Sequence, residues 1–313
     1  INIQRAKIQI GRNFSSSIST SIFTAANTNG NLLFEVGGDF IMNSGNFIGQ
    51  NYAGNIKADS IIVAGNFLFN SATPTNYFYG NRGAASTGGT VINVSGDFTI
   101  NNSGTLPGQG FNGVYQANSE LVMSVGGNFT INQGRFNGIY NGDGNLDLSI
   151  GGTLTQANGY FYGIHNLGSQ QSGVATFSAG SVNYDRGQFS LYFANSLIPS
   201  INTFTVTNNL DISFFGITDT FSINGIELID FTNEARLIMN VGGNMLISGA
   251  AGTFVSSKAK GREVVSINGN INYSGGVSTF NSSLLFASSN GHPVIMTIGG
   301  DVSVSAGTHF LSA

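Results

Sequence analysis

The acidic side chains of this chain form a single concentration, and it is the first candidate for chemistry. The 15 Asp and Glu residues are otherwise scattered along 313 positions. Two carboxylates held about 5–9 Å apart perform acid–base chemistry on glycosidic bonds, so this stretch would be the site of a polysaccharide lyase or hydrolase. The alternative is a solvated loop, because no other chemistry-bearing residues cluster nearby. We therefore predict no catalytic residues. The concentration consists of Asp211, Asp219, Glu227, Asp230 and Glu234.

The histidines do not form a metal-binding pattern. His165, His292 and His309 are far apart and lack ligand spacing. His165 takes the position that Tyr115 and Tyr140 hold in similar sequence words, so packing explains it better than ligation. Cysteine is absent, which excludes thiolate sites. The glycine-rich words match neither a phosphate loop nor the calcium-binding nonapeptide of β-rolls. We predict no cofactor and no metal.

Four tyrosines are the candidates for contact with a ligand or partner. In two places a phenylalanine lies between two tyrosines. If each phenylalanine faces the core, strand alternation places its neighbours outside. Exposed aromatic rings stack on sugars or become buried in protein interfaces. The alternative is that a turn or an insertion covers them. The candidates are Tyr77, Tyr79, Tyr160 and Tyr162.

Composition narrows the class of protein. Charged residues make up 8% of the chain, against about 25% in typical domains. The chain also has 25 Phe, and this aromatic content argues against disorder. Net charge −4 gives no general attraction to nucleic acid, and the basic cluster Lys258, Lys260 and Arg262 is interpreted as a solvated turn. No run approaches the ~18 apolar residues of a membrane span. Because the chain begins at Ile1, we interpret it as a mature or partial chain.

The elements that position these residues belong to an internal repeat. The motif apolar–Gly–Gly–Asn/Asp–apolar recurs in full or degenerate form, and its last residue serves as an anchor. Eleven anchors span 288 residues over ten intervals, a mean period of about 29. Such a period is typical of stacked repeat architectures. The anchors are Phe14, Phe40, Phe67, Phe98, Phe129, Leu154, Val182, Leu210, Met245, Ile271 and Val302.

Within each repeat the apolar residues alternate with a period of two. The best-preserved copy, residues 121–141, reads LVMSVGGNFTINQGRFNGIYN, with three alternating runs separated by glycine turns. Alternation bounded by glycine predicts strands rather than helices. A second anchor follows each first anchor after 7 to 13 residues in nine copies. These second anchors are Phe47, Phe78, Phe111, Phe136, Phe161, Phe189, Phe254, Phe280 and Phe310.

These patterns predict a single elongated domain over residues 1–313. The fold class is all-β: a right-handed parallel β-helix (β-solenoid) of about eleven coils, each with three short strands. A unit of this size buries its apolar side only by stacking on its neighbours. Strand twist and crossover handedness favour the right-handed coil. Stacking would place the phenylalanines in internal columns and the turn asparagines in side-chain ladders. Glycine at the corners would permit left-handed backbone, and we interpret Asp39, Asp97 and Asp301 as turn residues.

The repeat words resemble a known family. VSGDFTINNSGT, VGGNFTINQG and IGGDVSVSAG look like the repeats of filamentous-haemagglutinin-type large exoproteins and autotransporter passengers. The resemblance covers nearly all coils and implies a β-helix exported across a bacterial outer membrane. This chain departs from the family in its longer period, and it lacks a visible secretion or capping domain.

The expected function is that of a non-enzymatic extracellular surface adhesin or structural fibre component. A stiff rod of this kind would present loops or faces at the bacterial cell surface. The expected partners are cell-surface molecules or glycans of a host or neighbouring cell, or copies of the chain stacked end to end or laterally. Nucleic acid is not an expected partner. The alternatives are a carbohydrate-active β-helix enzyme and a viral or phage spike, which usually forms a trimer.

Overall fold

The computed structural model is a β-solenoid in which each strand pairs with its counterpart in the next coil. All strand pairings run parallel, and no helix occurs in the part of the chain that the structure describes. That part comprises residues 4–104, 106, 108–166, 173–194, 200–216, 218–225, 236–249, 252–257, 262–275, 283–285, 294–305 and 309–311.

Each coil carries three strands, as predicted, although the first two are continuous in two coils. The first strands are β1 Gln4–Ile10, β4 Gly30–Val36, β7 Asp59–Val63, β10 Thr90–Val94, β13 Leu121–Val125, β16 Leu146–Gln156, β18 Ala175–Tyr184, β20 Ile201–Val206, β23 Arg236–Val241, β26 Glu263–Ile267 and β29 Val294–Ile298. The second strands are β2 Phe14–Ser16, β5 Phe40–Met42, β8 Phe67–Phe69, β11 Phe98–Asn101, β14 Phe129–Gln133, β21 Leu210–Phe214, β24 Met245–Gly249, β27 Ile271–Gly275 and β30 Val302–Ser305, with β16 and β18 serving as both. The third strands are β3 Ile22–Ala26, β6 Asn46–Gln50, β9 Tyr77–Asn81, β12 Gly110–Tyr115, β15 Arg135–Tyr140, β17 Tyr160–Asn166, β19 Gln188–Ala194, β22 Thr220–Gly225, β25 Thr253–Ser257, β28 Ser283–Leu285 and β31 His309–Leu311.

The first and second strands form one sheet of 20 strands, and the third strands form another of 11. The predicted all-β parallel solenoid is thus confirmed. The eleven sets of strands make about 9 full turns, slightly fewer than the eleven coils predicted. Handedness stays a prediction.

The first anchors form a single column, as predicted. In-register pairing links all eleven without a break, from Phe14 opposite Phe40 to Ile271 opposite Val302. Near the start of the column the rings are parallel, with the Phe40 and Phe67 centroids 4.7 Å apart. Further along, apolar side chains without rings take the same place. The column therefore requires an apolar residue rather than a ring.

The second anchors form a longer ring column than the sequence predicted. Phe23 and Phe221 also belong to it, paired with Phe47 and Phe189. Neither residue was assigned from the sequence, because both lie in copies whose repeat motif is degenerate. Phe280 was assigned to this column, but it lies outside the described residues. Among the described residues, Leu284 pairs in register between Phe254 and Phe310.

The two ring columns also contact each other. Phe78 lies 5.2 Å from Phe67, edge to face, while stacking on Phe111 at 4.7 Å. Aromatic pairs of these geometries add about 0.5–1.5 kcal/mol each beyond area burial. All three rings are fully buried. The core is therefore a continuous aromatic lattice along the early and middle coils.

An Asn/Asp ladder runs along the corner between first and second strands, as predicted. Each side-chain oxygen accepts the backbone N–H of its counterpart in the next coil. Asp39 accepts from Asn66 at 2.7 Å, and Asp97 accepts from Asn128 at 2.7 Å. Asn270 accepts from Asp301 at 2.8 Å. Either side chain supplies the required oxygen, which explains why the two residue types alternate.

The double glycines of this corner serve close packing rather than left-handed backbone. A Cβ on Gly127 would lie 2.3 Å from Asp97 Oδ1, the ladder oxygen of the preceding coil. One on Gly126 would lie 2.3 Å from the Ser95 carbonyl oxygen. Neither residue is among the glycines with positive φ, whereas Gly134, at the next corner, has φ +94°. The predicted left-handed backbone is thus correct for Gly134 and wrong for the double glycine.

Candidate functional site

The third strands bend at a column of glycines. In β9, β12, β15 and β17 the register skips one glycine, so the residues before and after it pair but it does not. A Cβ on Gly80 would lie 2.4 Å from the Gly113 carbonyl oxygen, and one on Gly138 would lie 2.5 Å from that of Gly163. Glycine therefore allows close approach at a bend in every one of these coils.

The bend brings together outward-facing rings from both of its sides. Tyr79, before its glycine, stacks on Tyr115, after the glycine of the next coil, at 4.4 Å. Tyr162 and His165 stack at 4.4 Å across the bend of one coil. Outward side chains converge in this way only where the outer surface is concave. We call the resulting set the outer strip: Tyr77, Tyr79, Tyr115, Arg135, Tyr140, Tyr160, Tyr162, His165 and Phe193.

The four predicted tyrosines all belong to the outer strip, but two of them are not exposed. Tyr77 and Tyr160 are half-buried, whereas Tyr79 is 6% and Tyr162 is 4% exposed. The Tyr79 hydroxyl donates to the Gly108 carbonyl oxygen at 2.7 Å, so the insertion before β12 covers this ring. The expected outward placement is correct, and for Tyr79 the alternative that an insertion covers the ring is the one observed. Contact with a ligand stays a prediction for all four.

Arg135 places a buried positive charge in the outer strip. It is 5% exposed, and its guanidinium lies 4.7 Å from the Tyr160 ring centroid and 5.0 Å from that of Tyr162. The only ion pair among the described residues joins Lys7 to Glu35. Cation–π contacts, rather than a carboxylate, therefore hold this charge. Its Nε has no hydrogen-bond partner.

The protonation state of His165 follows from its contact with Arg135. Burial, and then the Arg135 charge, lower the pKa of His165 to about 3, so the ring is neutral at physiological pH. Arg135 Nη1 lies 3.3 Å from His165 Nδ1. A guanidinium only donates, so Nδ1 accepts and the ring proton is on Nε2. His165 also lies in register with Tyr140, which confirms the position assigned from the sequence.

A pocket of about 170 Å³ lies at the end of the outer strip, across coils six to eight. Its polar groups are the Gln188 amide and the hydroxyls of Tyr162, Ser190, Thr220 and Ser222. The hydroxyl of Tyr162 donates to Gln188 Oε1 at 2.5 Å, while the buried Ser222 hydroxyl has no partner. None of these groups is charged. The described residues that line it are Tyr162, Gln188, Phe189, Ser190, Phe193, Thr220 and Ser222.

Two members of the acidic concentration, Asp211 and Asp219, lie in the described residues, and their surroundings differ. Asp219 Oδ2 accepts the N–H groups of Phe215 and Gly216, both at 2.7 Å, and its Oδ1 accepts from Gly187 at 3.0 Å. Its carboxylate therefore organises a turn. Asp211 faces outward from β21, and partial burial raises its pKa. Glu227, Asp230 and Glu234 lie outside the described residues.

Two acidic residues that the sequence reasoning missed lie inside the solenoid. Asp59 is fully buried, and burial raises its pKa to about 6 although Leu32, Gln50 and Asn55 donate to it. Burial likewise raises the pKa of Glu263 to about 7, against a hydrogen bond from Ser256. Both face the core in register with apolar residues of other coils. Repeat alignment alone gave no reason to single them out.

The remaining predicted residues are the histidines His292 and His309 and the basic cluster, and the structure describes them only in part. In the described ranges, no group of three His, Asp or Glu side chains is placed to hold a metal ion. His292 is outside those ranges, and His309 lies in β31. Lys258 and Lys260 of the basic cluster are also outside. The described residues include no helix long and apolar enough to cross a membrane.

Sequence reasoning did not identify Arg135 or the pocket. Arg135 stands in register with Tyr160, so the signal was a charged residue at a position that is aromatic in the next coil. Ser190 and Ser222 gave no signal, because serine is common throughout the chain. No family model, curated protein or solved structure matches this chain.

Proposed function

We propose that this chain is a non-enzymatic segment of an extracellular bacterial surface adhesin or structural fibre. The observation that carries the proposal is the unbroken register of the first anchor column along the whole solenoid. Such stacking makes a rod whose constant interior supports variable outward positions. The resemblance of its repeat words to filamentous-haemagglutinin-type exoproteins supports the bacterial surface as its location.

The outer strip is the face proposed to contact a cell surface. It is concave, rich in tyrosine and carries the uncompensated charge of Arg135. Partly buried tyrosines present a ring edge and a hydroxyl at the same place, a combination enriched at binding surfaces. A glycan or a protein of a host or neighbouring cell is the proposed partner.

Adhesion of beads coated with the purified chain would test the proposal. We expect saturable binding to host epithelial or bacterial cells. Tyr77→Ser combined with Tyr160→Ser should weaken it, because both side chains are half-buried and reachable. Tyr52→Ser is the matched control, since Tyr52 is 38% exposed and lies outside the strip. Absence of binding to every cell type, together with a monodisperse monomer in analytical ultracentrifugation, would refute both the adhesin and the self-assembling fibre.

The rival enzymatic function has its own readout. Release of reducing ends or unsaturated products from acidic polysaccharides, lost in Asp211→Asn, would favour a carbohydrate-active enzyme. Loss of activity in Asp219→Asn alone would be less informative, because this carboxylate holds the turn at Phe215 and Gly216. A stable trimer in ultracentrifugation would instead favour a viral or phage spike.

A further inference from the structure

We propose that the pocket at the end of the outer strip binds a single neutral pyranose ring of a surface glycan. This inference rests on the proposed function only for the source of the sugar, because the pocket is defined independently of adhesion. Its lining residues belong to β17, β19 and β22, three consecutive third strands of the solenoid.

The size of the pocket suits one six-membered ring. Its volume is about 170 Å³, and a protein cavity of about 150 Å³ accommodates benzene. A pyranose ring with its hydroxyls is larger than benzene, and its outer edge would extend toward the open side of the pocket. A longer glycan would therefore place one unit inside and continue along the surface.

The aromatic lining supplies a surface on which a sugar ring can stack. Tyr162 and Phe193 both line the pocket, with ring centroids 5.6 Å apart and planes inclined by 51°. Phe193 is only half-buried, unlike the phenylalanines of the core. The C–H faces of a pyranose pack on aromatic rings, whose faces carry partial negative charge. Two inclined rings leave room for a sugar to pack on one ring and contact the edge of the other.

The polar lining matches hydroxyl groups rather than ions. Thr220 and Ser222 present hydroxyls that can both donate and accept, and Gln188 presents an amide that does both. The Ser190 hydroxyl donates to the Tyr192 carbonyl oxygen at 3.2 Å, so toward a ligand it can accept. No charged side chain is among the described residues of the lining, so a charged ligand would gain no ion pair from them. Sugars carry many groups that donate and accept at once. The lining is complementary to that property.

Ser222 provides the independent sign that a ligand belongs here. Its residue is 3% exposed, and its hydroxyl oxygen is buried without a hydrogen-bond partner. An unsatisfied buried hydroxyl destabilises a fold. The hydroxyl of a bound sugar would satisfy it.

Ligand-observed NMR with the full chain tests the proposal. The probes are methyl glycosides of glucose, galactose, mannose and N-acetylglucosamine, with methyl glucuronide as a charged comparison. We expect at least one neutral glycoside to bind with Kd on the order of 1 mM, and the glucuronide to bind no more tightly. Failure of all neutral probes to bind at about 10 mM would overturn the proposal, as would tighter binding of the glucuronide.

Two variants locate the binding. Ser222→Ala should weaken it about fivefold through loss of one neutral hydrogen bond, and Phe193→Ser should weaken it about tenfold. The matched controls are Ser213→Ala and Phe215→Ser, which remove the same groups outside the pocket. Equal effects in variants and controls would overturn the proposal.

Hydrogen exchange on the unaltered protein covers the case in which a variant fails to fold. Saturating glycoside should slow exchange in peptides spanning β17, β19 and β22, and protection confined to other strands would overturn the proposal. The two proposals also fail separately. Adhesion without binding of any probe sugar would refute sugar binding by this pocket and leave the adhesin proposal standing. Sugar binding without adhesion would refute the adhesin proposal and leave the pocket proposal standing.

Discussion

The inner phenylalanine column and the outer strip lie on opposite faces of the same third strands, yet their residues repeat to very different degrees. Inside, phenylalanine recurs from Phe23 to Phe254, and neighbouring rings are nearly parallel, as at Phe189 and Phe221, 4.3 Å apart with planes at 3°. Outside, tyrosine, arginine, histidine, asparagine and serine occupy equivalent places. The inner rings are enclosed by the core on every side, while the outer side chains stack on neighbouring coils but also border the surface. Differences between coils are therefore free to accumulate outside, where a binding site would need them.

Replacing one aromatic residue on each face of β15 gives the largest expected contrast. Phe136→Ala should lower the free energy of unfolding by about 3–5 kcal/mol, because it leaves a cavity among three buried rings. Tyr140→Ala, in the same strand, should cost about 1–2 kcal/mol because its ring lies outside the core. Guanidinium unfolding followed by circular dichroism measures both. Equal losses would show that the outer strip is as structural as the core.

A pH experiment examines the acid that interrupts the inner face. Asp59 has its pKa raised from 3.8 to about 6 by burial, so the folded state binds the proton more tightly than the unfolded chain. Protonated Asp59 therefore contributes to the free energy of unfolding below about pH 4. This contribution, about 3 kcal/mol in total, is lost as the pH rises through 6.

Asp59→Asn should remove this pH dependence, because asparagine does not titrate. Unfolding in urea at pH 4 and pH 7 would measure the difference between the variant and the original chain. Glu263, whose pKa is also raised, is present in both and cancels. If the unfolding free energies of the variant and the original chain change with pH in the same way, Asp59 is accessible to water rather than buried.

Substitutions at the glycine corner should have a smaller effect on stability, and that effect should differ between a glycine of the repeat and one outside it. Gly127→Ala should cost about 1–3 kcal/mol, since its Cβ would overlap Asp97 Oδ1. Gly89→Ala is the control, because no atom lies within 4 Å of its added Cβ. Thermal unfolding of the two variants compares them directly. A neutral Gly127→Ala would indicate that the ladder carboxylate moves aside at little cost.

The smallest expected effect concerns the ladder itself. Asn128→Ala removes the acceptor for the Thr153 N–H and should cost about 0.5–1.5 kcal/mol. Asn128→Asp keeps the acceptor and should change stability by less than about 0.5 kcal/mol. Chemical unfolding at low and high salt distinguishes hydrogen bonding from charge. A large loss in the aspartate variant would contradict the interchangeability of the two residues.

Prediction from the sequence succeeded where one coil resembles the next. All eleven first anchors were placed correctly because their motif survives even in degenerate copies. It failed where the motif is absent, as at Phe221. The candidate site was predicted in part: the four tyrosines do face outward. The sequence could not decide whether an insertion covers Tyr79. Its burial depends on the path of the insertion that places Gly108 over its hydroxyl.

The sequence by itself determined the parallel solenoid, its two anchor columns and its Asn/Asp ladder. Each of these arises from a pattern that recurs in most coils, so stacking follows from the period alone. Only the tertiary structure decided the concave outer strip, the stacking of Arg135 between tyrosines and the unsatisfied hydroxyl of Ser222. These features depend on residues brought together from different coils by a bend at glycine, and such contacts between non-equivalent positions leave no periodic signal in the chain.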